Sequence, residues 1–148
     1  MFAKIVIGLD GSDHAHNALR VACELAGKFG SELHLVHTPQ AEMLGYAMGA
    51  VAGYHAVAVV PDPDELKEVG EKVLGQGQAV VAEFKLPKAT EHLTLGDPAN
   101  EIIRCAETCG ADLIVTGRRG LGAFGALVQG STTTRVNHKA QCACLSVV

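Results

Sequence analysis

The stretch GRRGLGAFGALVQGSTTT, Gly117 to Thr134, combines repeated glycine with a run of hydroxyls. This combination suits phosphate. Gly117, Gly120, Gly122 and Gly125 let a backbone take positive φ and approach a ligand closely, and a helix opening at Gly130 and Ser131 presents free N–H groups to an anion. A P-loop would place a lysine between Gly130 and Ser131, and this chain has none there. Backbone amides, the hydroxyls of Ser131, Thr132 and Thr133, an arginine from Arg118 or Arg119 and a divalent ion can share the charge of a triphosphate instead. The missing lysine argues against P-loop hydrolysis in particular. The same residues also describe a mobile glycine-rich loop running into a helix capped by Ser and Thr. On residue types alone both readings stand.

The elements that must hold this stretch alternate between strand and helix. KIVIGL (Lys4 to Leu9) is a short β-branched run, as expected of a strand buried on both faces. Ser12 caps a helix with Asp13 in its first turn; Ala15, Leu19, Ala22, Ala26 and Phe29 follow at helical spacing, and Gly30 stops it. ELHLVH (Glu32 to His37) is a second strand. A helix starting near Asp64 carries Leu66, Val69, Val73, Val80 and Phe84 on one face, is weakened by Gly70, Gly75 and Gly77, and ends by Pro87. EHLTL (Glu91 to Leu95) is a third strand. Asp97 and Pro98 start a helix that buries Ile102, Ile103, Ala106 and Cys109 and ends at Gly110. ADLIVTG (Ala111 to Gly117), a helix from Ser131 to about His138 and CACLSVV (Cys142 to Val148) complete the series. The alternation predicts a parallel sheet with helices on both faces, with ligands at the carboxyl ends of the strands. Asp10, just past strand one, and the glycine stretch, just past strand four, meet there.

Composition narrows the function classes. A chain of 148 residues suits one domain spanning 1–148, and five cysteines at irregular positions give no disulfide framework. The formal charge of −4 gives no electrostatic footprint for nucleic acid or an anionic membrane. MFAKIVIGLD enters a strand pattern at once, which reads as a cytoplasmic chain without a signal peptide. The segment from Pro39 to Pro61 is long, apolar and nearly uncharged. Its glycines and bordering Glu42 and Pro61 make Met43 to Val60 a poor membrane span, and a loop of this kind serves as a lid or contact surface or is disordered without ligand.

Other constellations are weaker. Cys105 and Cys109 lie four apart on a helix, and Cys142 and Cys144 two apart on a strand, so each pair could turn two thiols to one side. Neither has the C-x2-C spacing of a zinc module, so they read as buried structural thiols, with a redox-responsive site as the alternative. His14 and His16 point to different helix faces. No metal ligand set and no catalytic acid–base pair stands out.

The spacing G-x2-G-x9-G-S through Gly117, Gly120, Gly130 and Ser131 resembles the nucleotide loop of the ATP-binding branch of the universal stress protein family. VIGLDGSDHAHNAL, LTLGDPANEII, ADLIVTGRRG and CLSVV resemble the same family in order, so the likeness spans the chain. The resemblance implies an α/β, Rossmann-like fold: an open five-stranded parallel sheet of order 3-2-1-4-5, dimeric through the C-terminal strand Cys144–Val148. It implies a nucleotide site in which Gly8 and Asp10 end strand one, with Asp10 at the ribose or adenine side. Thr116, Gly117, Arg119 and Gly120 line the sugar and phosphates; Gly130, Ser131, Thr132 and Thr133 hold the phosphates, and Mg2+ or Mn2+ is carried by the phosphates. An Asx-type turn before Ser12 is the other reading of Asp10. Where the family carries an aliphatic residue over the adenine, this chain has His37, read as stacking on the base, as weakening binding when protonated, or as a half-exposed histidine at a strand end. The implied function is an ATP-binding stress-response regulatory module that acts through assembly or an unknown protein partner. A slow ATPase or nucleotide-transferring enzyme is the alternative.

Overall fold

The computed structural model describes residues 1–40, 62–120 and 130–148. Most of the Pro39–Pro61 segment, together with Gly122 and Gly125, lies outside the described residues. The elements run β1 (Lys4–Leu9), α1 (Asp13–Phe29), β2 (Glu32–His37), α2 (Pro63–Glu83), β3 (Thr90–Leu93), α3 (Pro98–Cys109), β4 (Leu113–Gly117), α4 (Ser131–Lys139) and β5 (Ala143–Val147). The five strands form one sheet of order β3-β2-β1-β4-β5 in which every neighbouring pair is parallel. Chain order reverses direction across the sheet between β1 and β4. That junction is the switch point of a doubly wound sheet.

Local signals start and stop the helices. Ser12 accepts from the Ala15 N–H at 3.2 Å, Asp97 accepts from the Asn100 N–H at 3.0 Å, and Gly30 and Gly110 take the left-handed conformation that ends α1 and α3. One sheet face packs Ile5, Ile7, Leu9, Leu33, Leu35 and Val115 against α1 and α2; the other packs Val6, Val36 and Ile114 against α3 and Val136 of α4. Among the described residues no helix is long and apolar enough to cross a membrane.

Some boundaries and faces differ from the sequence reading. β3 starts at Thr90 and stops at Leu93, leaving Leu95 exposed, and α2 begins at Pro63 behind an Asp62 cap and ends at Glu83. Phe29 is exposed and meets Phe2 edge to face instead of entering the core. In α2 the buried stripe is Gly70, Leu74, Gly77, Val80 and Val81. A Cβ on Gly77 would come within 2.8 Å of Leu9, so this glycine brings α2 close to the sheet at the expense of helix propensity.

Candidate nucleotide site at the β1 and β4 strand ends

The site begins where β1 ends. Asp10 Oδ1 accepts from the Ser12 N–H at 2.9 Å, and Gly11, with φ +83, allows the tight passage into α1. The Asx turn anticipated as the alternative reading of Asp10 is therefore present. Ser12, while capping α1, also donates its hydroxyl to the Arg119 carbonyl at 3.4 Å. This bond joins the β1 turn to the segment leaving β4.

Glycines at the end of β4 answer to close approach. A Cβ on Gly117 would lie 2.7 Å from His14 C and 2.8 Å from Ala15 N, both backbone atoms of the first turn of α1. On Gly120 it would strike the Asp10 carboxylate. The sequence reading attributed these glycines partly to positive φ. Among the described glycines, positive φ occurs at Gly11, Gly30, Gly96 and Gly110. Gly8 is likewise a packing glycine, since its missing side chain gives room to Ile102 of α3. Thr116, paired with Gly8 in the sheet, is buried one residue before the site.

The segment leaving β4 returns at Gly130. The Gly130 N–H donates to the Arg118 carbonyl at 2.8 Å, and the Arg118 N–H donates to the Val147 carbonyl at 2.6 Å. These bonds close the neck of the 118–130 segment and fasten it to β5. Gly130 is the N-cap of α4 and supplies no capping side chain, so it leaves the first-turn amides of Ser131, Thr132 and Thr133 without a cap from the N-cap residue. Thr133 is buried and donates its hydroxyl proton to the Gly117 carbonyl at 2.7 Å, which leaves its amide as its donor for a ligand. Ser131 is exposed and Thr132 partly so. The Nε atoms of Arg118 and Arg119 are buried without a hydrogen-bond partner among the described residues. Asp10, Arg119, Gly120, Gly130 and the start of α4 thus come together, although Asp10 is far from the rest in sequence. The Ser12 hydroxyl that ties them was missed as a site residue; its cap position two residues after Asp10 was the available signal.

His37 departs from the half-exposed reading. It is 1% exposed, and its Nδ1 lies 2.8 Å from the Leu9 carbonyl, which makes Nδ1 the protonated nitrogen and leaves Nε2 buried without a hydrogen-bond partner among the described residues. Burial pushes its pKa below the ordinary 6.5, against the opposing pull of the Leu9 carbonyl and Asp10. His92 is displaced the same way, by burial and then by His34. A histidine whose folded pKa is depressed is protonated first in the unfolded chain, so stability should fall as pH drops through 6.5 and level off below the folded value. Each tenfold difference in proton affinity between the two states costs about 1.4 kcal/mol. Urea unfolding above and below this range should show the loss, and His37→Asn, which keeps a donor for Leu9, should reduce it. An unchanged pH dependence in that variant would remove His37 as the cause.

The sequence model of the universal stress protein family matches residues 1–147. A universal stress protein of Thermus aquaticus is 36% identical over 149 residues, covering 99% of each chain. Among solved structures, the universal stress protein UspA of Lactobacillus plantarum superposes with a TM-score of 0.77 at 24% identity, over 99% of this chain and 97% of that one. The universal stress protein of Archaeoglobus fulgidus in complex with dAMP has a TM-score of 0.71 at 23% identity, over 98% and 97%. With a match along nearly its whole length and a sheet of the same order, the chain belongs to the universal stress protein family.

Proposed function

We propose that this protein is an ATP-binding regulatory module of the cytoplasm, acting through nucleotide-dependent assembly or binding of a protein partner. The observation that carries the proposal is the contact of Asp10, Gly120 and Gly130 beside the start of α4, whose N-cap is a glycine without a capping side chain. Phosphates fit the donors present: first-turn amides of α4, the hydroxyls of Ser131 and Thr132, and the guanidinium of Arg119, whose buried Nε has no partner among the described residues. The Asp10 carboxylate suits the hydroxyl or amine donors of the ribose or base. His37 ends the neighbouring strand with its ring buried and its Nδ1 held by the Leu9 carbonyl. A bound Mg2+ or Mn2+ would neutralise phosphate charge, held chiefly by the phosphates themselves. The dAMP complex of the A. fulgidus relative agrees in ligand class. Slow or absent turnover fits a site built of phosphate donors.

β5 forms one edge of the sheet, and Val148 beyond it is 59% exposed, an arrangement that favours pairing of Cys144–Val148 with a second copy. Protein isolated and heated should release an adenine nucleotide detectable by mass spectrometry. The nucleotide-free protein should take up ATP with magnesium in a calorimeter and sediment as a dimer at micromolar concentration. Absence of binding at millimolar ATP would refute the reading, and rapid phosphate release would replace it with the enzymatic alternative.

A further inference from the structure

Away from the nucleotide site, three side chains converge on the sheet face covered by α3. His34 of β2 and Cys105 and Cys109 of α3 bring one ring nitrogen and two sulfurs within 4.8 Å of one another. The helical spacing of four residues puts both sulfurs on one side of α3. His34 and His92 stand on adjacent strands, their rings stacked at 5.3 Å between centroids and 22° between planes, with His92 Nε2 3.1 Å from His34 Nδ1. His34 is 5% exposed; its Nε2 lies 3.2 Å from Glu32 Oε1 without a hydrogen-bond alignment. A cleft of about 200 Å³ lined by His92, Cys105, Thr108 and Cys109 gives the two thiols access to solvent.

We propose that His34, Cys105 and Cys109 form a binding site for a thiophilic metal ion of the zinc class, distinct from the nucleotide site. Two sulfurs and one imidazole are the donor set that soft and borderline ions prefer over Mg2+ or Ca2+. Zinc bonds of about 2.3 Å to sulfur and about 2.0 Å to nitrogen in tetrahedral array put the donors roughly 3.3–3.8 Å apart, which side-chain rotations bring within reach from the observed spacing. His92 acts as a positioning residue, fixing the His34 ring and its tautomer as outer partners of metal-bound histidines do. Water from the cleft completes the fourth position.

Ligation exchanges two S–H bonds for two metal–sulfur bonds. Both protons pass to solvent and no electron is transferred. Burial, with the neighbouring Cys109 adding to it, pushes the Cys105 thiol up to about 12. A dication beside the sulfur reverses that penalty by supplying the missing opposite charge.

The test uses the full chain, reduced and stripped of metal, titrated anaerobically with Co2+ as a spectroscopic probe and then with Zn2+. A thiolate-to-cobalt charge-transfer band saturating at one equivalent, displaced by Zn2+ and absent from Cys109→Ser, is expected. Cys23→Ser, altering a buried thiol elsewhere, should keep it. Cys109 is only partly buried, so its variant should fold, and circular dichroism verifies this. As a second measurement, Zn2+ should slow alkylation of Cys109 at least tenfold in wild type and leave the rate unchanged in His34→Gln. No band in folded, reduced protein, a band that survives in Cys109→Ser, or alkylation unaffected by Zn2+ would overturn the site.

Discussion

Gly117→Ala should destabilise the fold by about 3 kcal/mol or more, a larger effect than any other single methyl added to this site. The added Cβ would lie 2.7 Å from His14 C, 2.8 Å from Ala15 N and 2.9 Å from His14 O. All three belong to the backbone of the first turn of α1, which no side-chain rotation can move. Relief requires α1 to lift from β4, straining the Ser12 cap and its bond to Arg119, and the Gly117 carbonyl that receives the Thr133 hydroxyl. Gly8→Ala makes a useful contrast. There the added atom meets the far end of the Ile102 side chain, which can rotate away, so the cost should be smaller. Urea unfolding followed by circular dichroism measures both. A Gly117→Ala protein within about 0.5 kcal/mol of wild type would show that the α1–β4 approach has slack.

How far the sequence disclosed this arrangement depends on the range of the interaction involved. Ser12, Gly30, Asp97 and Gly110 were legible because a cap acts within a turn of its own residue, and each occupies the predicted place. The strand order followed from the family resemblance. Gly70 and Gly77 were read as weaknesses of a helix because propensity is local, whereas their use depends on Leu93 and Leu9, which approach from other elements. His37 ends a strand, and nothing near it in sequence told that it would be buried. The thiols of Cys105 and Cys109 could be placed on one helix face, but His34 joins them only through the packing of α3 on the sheet. In the candidate nucleotide site, the residue types of Asp10 and Thr133 were plain, while the bonds that commit part of each to the protein were not.

Gly130→Ala should do the reverse of Gly117→Ala, leaving the fold stable and weakening ATP binding. Gly130 has φ −71 and ψ 154, a conformation open to any residue, and its Cβ would meet Arg118 O at 3.5 Å, Arg119 Cα at 3.6 Å and Gly120 N at 3.7 Å. Those are ordinary contacts. Loss of a glycine N-cap and reduced freedom of the unfolded chain act in opposite directions, so stability should stay within about 1 kcal/mol of wild type. A phosphate against the first turn of α4, however, would find a methyl group at the closest point of the backbone. Losing one charge-assisted hydrogen bond costs about 1.5–3 kcal/mol, roughly one to two decades in affinity, and Gly130→Val should lose at least as much. Asp10→Asn separates recognition from folding in the same way: the amide oxygen can still accept from Ser12 N–H, whereas the charge offered to the ribose or base is gone. Calorimetry with ATP and magnesium on wild type, Gly130→Ala, Gly130→Val and Asp10→Asn, beside urea unfolding of each, distinguishes the cases. If Gly130→Val binds as tightly as wild type, phosphate does not sit against the start of α4; if Asp10→Asn alone keeps full affinity, Asp10 shapes the turn and the ligand is held by the phosphate side.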